Sequence, residues 1–247
     1  MRQIVLLSFL LVYSSSFACI CGTTSVINRY NHSDFVADIT IVKNYPNEGN
    51  INFYKSDIKI NQLFKGRTLK SIFVYGRSDG QIGNSCSIFF PVGTNLIAYS
   101  NKDDKGIFTI GRCSNVNLDQ VTTSQVKYEI AALNHITSNA QKDLDVVQFQ
   151  ENSDLRERLK KFNGLRLDQN YALFQIEFNS DFTVKSVIAI NGFGDLIDKD
   201  LSSIFKEVIW IDGENPSRKE ITQSSKLLFG IYYHPQTEDR KSFLSFY

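Results

Sequence analysis

Ala18-Cys19-Ile20-Cys21-Gly22 is where an apolar leader stops and a Cys-x-Cys begins. The chain has four cysteines in 247 residues, so the other two, Cys86 and Cys113, are the available partners for this pair. Upstream, Arg2 supplies a short basic region and Ile4 to Val12 an apolar one. Ser14-Ser15-Ser16-Phe17-Ala18 then makes a small-residue exit, and together these read as an export signal over residues 1–18. The apolar run is too short to span a bilayer, and no later segment approaches about 20 apolar residues. After signal removal no transmembrane segment is expected, and the location is expected to be secreted or periplasmic. A lipid anchor at Cys19 is disfavoured, because Ser16 and Phe17 stand where a lipidation signal carries a branched aliphatic and a small residue.

An exported chain with this cysteine count is expected to hold two disulfides. A Cys19–Cys21 bond would close a strained, tiny loop. Two long-range pairings stay open: Cys19–Cys86 with Cys21–Cys113, or Cys19–Cys113 with Cys21–Cys86. Either ties the start of the mature chain to distant loops, and closing such a loop contributes about 4 kcal/mol on the chain-entropy model. Zinc is the competing use of four cysteines, but Cys86 and Cys113 lack the close paired spacing of a zinc knuckle. No intrinsic metal and no cofactor is expected.

Between the cysteines the chain reads as short strands. Phe35 to Val42 is the first, ended by Asn44-Tyr45-Pro46-Asn47. Phe53 to Leu63 alternates, and Phe64-Lys65-Gly66 turns it. Ser71 to Tyr75, Asn95 to Ser100 and Gly106 to Ile110 follow, separated by Gly, Pro and charged turns. Five short strands without a long helix among them predict a small closed barrel of OB type over residues 19–120.

Beyond it the pattern changes. Val126, Ile130 and Leu133 share one helical face, and so do Leu155, Leu159 and Phe162. The charges around the second set, Arg156 to Lys161, read as a solvated helix face. Residues 121–168 are therefore read as a helical connector, with a polar tract from Ser138 to Asp145. In residues 169–247, Tyr171 to Phe178 and Thr183 to Ile190 make a hairpin, Ile197 to Val208 an amphipathic helix, and Lys226 to Tyr233 a last strand. The fold class is mainly β with α: a barrel, a connector and a small α+β domain.

Several of these marks occur together in one known module. They are the Cys-x-Cys, Ala37-Asp38, Leu63-Phe64-Lys65-Gly66, the run Pro91 to Tyr99, and Gly111-Arg112-Cys113-Ser114. Residues 19–117 resemble the netrin-like module of tissue inhibitors of metalloproteinases, in its bacterial form. The resemblance implies the pairing Cys19–Cys86 and Cys21–Cys113. It also implies a protein partner, a zinc metalloprotease. An α-amino group titrates near about 7.7–8.0 and is partly neutral at physiological pH. With the Cys19 carbonyl oxygen it would chelate the partner's zinc at its open position. Ile20 would enter the pocket beside the zinc, and Cys21 would keep the wedge rigid. The alternative is a cell-envelope interaction or scaffold module with no inhibitory activity. Residues 171–235, strand–strand–helix–strand with Trp210 after the helix, are similar to the C-terminal domain of TonB-type energy transducers. In the scaffold reading a partner strand pairs onto the edge of this last sheet.

No enzyme constellation emerges, and the chain is read as a non-enzyme. His32, His135 and His234 lie in different segments with no His-x-x-x-His spacing. His32-Ser33-Asp34 are sequence neighbours, which is not how a catalytic triad is assembled. Asp103-Asp104 and Asp198 with Asp200 fit a turn and a helix start. Gly80 to Gly83 and Gly192-Phe193-Gly194 lack the strand–loop–helix frame of a nucleotide site. A formal charge of +1 gives no electrostatic reason to expect nucleic acid or an anionic membrane.

Overall fold

The computed structural model describes residues 19, 21, 25–49, 52–81, 84–138, 147–222 and 224–246. Residues 1–18, where an export signal is expected, Ile20, Gly22 and most of the polar tract after Ser138 lie outside these residues.

Five strands close into the OB-type barrel: β1 (Phe35–Asn44), β2 (Phe53–Lys65), β3 (Ser71–Tyr75), β4 (Asn95–Lys102) and β5 (Phe108–Ile110). Their order is β1-β2-β3-β5-β4, with β4 returning to β1 through Phe35↔Ser100 to Thr40↔Asn95. All pairs are antiparallel except β3–β5. A short sheet closes only if some strand bends sharply. Here β1 bends, with three register shifts against β2 between Val36 and Lys43.

Alternation in the sequence decides the faces. Phe35, Ala37, Ile39 and Ile41 point into the barrel with Tyr54, Ile72, Val74, Leu96, Ala98 and Ile110. The interior Tyr54 hydroxyl accepts a hydrogen bond from the Phe90 amide at 2.9 Å, and burial pushes its pKa up to about 12. Strand β4 is buried on both sides, which is why Leu96 to Tyr99 reads as an unbroken apolar run. Its outward residues Ile97 and Tyr99 join Val36 and Phe64 in a second core.

That second core is a middle layer. Helix α1 (Val26–Asn31) supplies Val26 and Ile27, capped by Ser25, whose hydroxyl accepts from the Asn28 amide at 3.2 Å. After β6 (Asn115–Asn117), helix α2 (Thr123–Ser138) supplies Ala132, Leu133 and Ile136. The other side is closed by Leu173 and Leu228 of the C-terminal sheet. This antiparallel sheet has the order β12-β11-β8-β9, from β8 (Tyr171–Phe178), β9 (Val184–Asn191), β11 (Lys226–His234) and β12 (Phe243–Ser245). Gly230 of β11 lies under Tyr128 of α2; a Cβ there would stand 2.5 Å from the ring.

The far face of the sheet packs on α3 (Leu155–Leu159), a following 3-10 turn and α4 (Asp195–Glu207). Phe174, Phe205, Phe229 and Trp210 meet edge to face there, with centroids 5.2 to 5.4 Å apart. The Trp210 indole N–H donates to the Phe205 carbonyl at 3.0 Å. A two-stranded ribbon, β7 (Phe149–Glu151) with β10 (Trp210–Asp212), completes the fold. No helix among the described residues is long and apolar enough to cross a membrane.

Candidate binding site at the stapled amino terminus

Residues 19 and 21 are held at the barrel by two turns. The first follows β3 and presents Cys86. Asn84 builds it by accepting from the Cys86 amide at 3.0 Å while its own amide donates to the Tyr75 hydroxyl at 2.7 Å. The second follows β5 and presents Cys113. Ser114 builds that one, its hydroxyl accepting from the Gly111 amide at 2.7 Å, and Asn115 Nδ2 donates to the Gly111 carbonyl at 2.6 Å. Arg112 Nη2 donates to the Ser87 carbonyl at 3.4 Å and links the two turns.

Two disulfides use this frame: Cys19–Cys86 with Cα atoms 5.0 Å apart, and Cys21–Cys113 with Cα atoms 5.2 Å apart. Of the two pairings that spacing leaves open, this is the one in the structure. The bonds lie against each other, with Cys19 Sγ 3.9 Å from Cys113 Sγ. Cys19 is half-buried, while Cys21 and Cys113 are exposed. Three of the sulfurs, from Cys19, Cys21 and Cys113, fall within 4.8 Å of one another. Metal binding needs thiolates, and each of these sulfurs is committed to a disulfide. The cluster is a staple, not a zinc cage.

The loop carrying Cys86 depends on Gly76. A Cβ there would sit 2.0 Å from the Ile88 carbonyl oxygen, a backbone atom that cannot swing aside. Gly76→Ala is therefore expected to destabilise the protein by about 2 kcal/mol or more, as overpacking does, and a thermal melt would show it. A melting temperature equal to that of the parent would mean that the loop shifts freely.

The other residues singled out in the sequence do not converge. His32 Nδ1 lies 2.8 Å from the Asn28 carbonyl oxygen, and His135 Nε2 lies 3.0 Å from Gln175 Oε1. His234 Nε2 is 2.8 Å from Ser245 Oγ, and its ring stacks on Phe243 at 4.3 Å. Burial, with Arg240 nearby, lowers the His234 pKa. Asp103 Oδ1 accepts from the Lys105 and Ile107 amides and shapes the β4–β5 turn. Asp198 accepts from the Phe193 and Gly194 amides at the start of α4, and Asp200 pairs with Lys161 at 3.0 Å.

One polar cluster was not read from the sequence. Glu129 of α2 is 4% exposed in the middle layer, where it accepts from the Tyr99 hydroxyl and from Arg29 Nη2 at 2.9 Å. The guanidinium also lies 4.8 Å over the Tyr99 ring. Burial first, then the Glu129 charge, raises the Tyr99 pKa well above its ordinary value. The trio joins α1, β4 and α2, and it is structural: its charges face inward and one another.

No family model and no curated protein matches this chain.

Proposed function

We propose that the protein is an exported, disulfide-stapled binding protein that engages a zinc metalloprotease through the amine and carbonyl of Cys19, freed when residues 1–18 are removed. The observation that carries this reading is the tethering of residues 19 and 21 at the same place by separate bonds to separate turns. A terminus held in this way loses little conformational freedom on binding. Its neutral amine and neighbouring carbonyl form a five-membered chelate for a zinc ion with an open coordination position. Disulfides suit the oxidising compartment that an export signal serves, and the resemblance to the metalloproteinase inhibitors' netrin-like module points the same way.

The test compares the chain beginning at Cys19 with the same chain acetylated on its amine or extended by one alanine. A panel of zinc endopeptidases is the readout. The free terminus is expected to inhibit, and blocking it to weaken inhibition about a hundredfold or more, because a metal contact worth several kcal/mol is lost. Equal behaviour of free and blocked forms would dismiss the chelate.

A second reading, an envelope scaffold without inhibition, has its own observation. Strand β9 pairs with β8 alone among the described strands, and Ile188 on it is 53% exposed. An extended segment of a partner could add to that edge.

A further inference from the structure

The outer face of a barrel strand ordinarily carries polar residues, because alternation turns every second side chain to water. Strands β2 and β3 break this rule at one end. Phe53 sits opposite Tyr75 and Lys55 opposite Phe73, all on the outer face. The Phe53 and Tyr75 rings are 5.1 Å apart. Residues 45–48, which follow β1, fold over this platform. Tyr45 donates its amide to the Lys55 carbonyl at 2.9 Å and its hydroxyl to Asp57 at 2.7 Å. Asn47 pins the same loop, donating to the Phe53 and Gly76 carbonyls at 2.9 and 3.0 Å and accepting from the Ser78 amide at 2.9 Å. Tyr45, Pro46, Glu48, Phe53, Lys55 and Phe73 enclose an open cleft of about 260 Å³.

The place and the chemistry agree. Barrels of this type take oligonucleotides or oligosaccharides on the face of strands 2 and 3, beside the loop joining strands 1 and 2. The choice between the two follows from charge. Lys43 and Lys55 flank the cleft, with Nζ atoms 4.5 and 5.4 Å from the Tyr45 ring centre, but Glu48 and Asp57 stand beside them. Opposed charges cancel the long-range pull on a phosphate chain, which needs several uncompensated cations. They leave what a sugar needs: ring faces for its apolar C–H surface, and charged donors and acceptors for its hydroxyl groups.

We infer that this cleft is a binding site for an uncharged pyranose oligosaccharide, with sugar rings against Phe53 and Phe73, with Tyr45 walling the cleft beneath its two lysines, and with Lys55 and Glu48 hydrogen-bonding to hydroxyls. The site shares no lining residue with the cysteine staple and does not rest on the inhibitor reading.

The full mature chain, labelled with nitrogen-15, is titrated with cellohexaose, with chitohexaose and, separately, with an oligothymidylate strand. Amide shifts are expected at Tyr45, Glu48, Phe53, Lys55 and Phe73 with at least one hexasaccharide. Phe73→Ala is expected to weaken binding about tenfold or more, as truncation of an aromatic anchor does. Tyr45→Ala, in a loop, and Lys55→Gln, on the surface, carry the same test should Phe73→Ala fail to fold. No shifts with either sugar at millimolar concentration, shifts confined to other residues, or binding of oligothymidylate alone would each overturn the assignment.

Discussion

Replacing Cys21 and Cys113 together by serine is expected to lower the unfolding free energy by about 3.5 kcal/mol on the chain-entropy model. The bond spans 92 residues, yet its full loop is not what counts. With Cys19–Cys86 intact, the second bond closes the shorter path that runs back through that first bridge, so the entropy returned to the unfolded chain is smaller. Removing all four cysteines reopens the long loops as well and is expected to cost about 8 kcal/mol, enough to unfold a domain of ordinary stability. Urea titration under oxidising conditions separates the two variants. A midpoint unmoved in the Cys21→Ser, Cys113→Ser variant would mean that the second bridge adds nothing once Cys19–Cys86 is in place.

Glu129→Ala is expected to destabilise the protein by about 3 kcal/mol, the lower end of the range for breaking a buried ion pair. Arg29 would lose its carboxylate while remaining packed on Tyr99, and the Tyr99 hydroxyl would lose its acceptor. The lower end applies because the Arg29 side chain is 23% exposed and part of its charge can be solvated. Combining Glu129→Ala with Arg29→Ala is expected to cost less than the sum of the single changes, since the second removal takes away the stranded charge. Strict additivity in that double-mutant cycle would show that the two side chains do not interact.

Much of the fold is visible in the chain because the periods are clean. In β2, Tyr54, Ser56 and Ile58 face inward while Lys55 and Lys59 face water. In α4, Leu201, Ile204 and Phe205 form the buried stripe. Elements whose stability comes from tertiary contacts alone were not visible. Helix α1 has six residues in a polar stretch, and its helical state depends on Val26 and Ile27 being buried by β4 and α2. The β7–β10 ribbon pairs residues about sixty apart in three-residue strands, too short to show any period. Glu129 did leave a trace, since it shares the helix face of Ala132, Leu133 and Ile136. Its partner Arg29 lies 100 residues away, and nothing local announces it. The aromatic cleft was legible in part, as Phe53, Phe73 and Tyr75 occupy outward positions where alternation calls for polar side chains.

The shared middle layer has a bearing on how this protein can be taken apart. Val26, Ile27, Val36, Phe64, Ile97 and Tyr99 are dry because α2 and the last sheet cover them. Excising the first half at about residue 120 would strip that cover and leave a wide greasy flank, the kind of surface that drives self-association. Evolution could not shuffle such a half freely into new contexts. The two ends of the polypeptide are bound to rise and fall in stability together, like leaves hinged on a common spine.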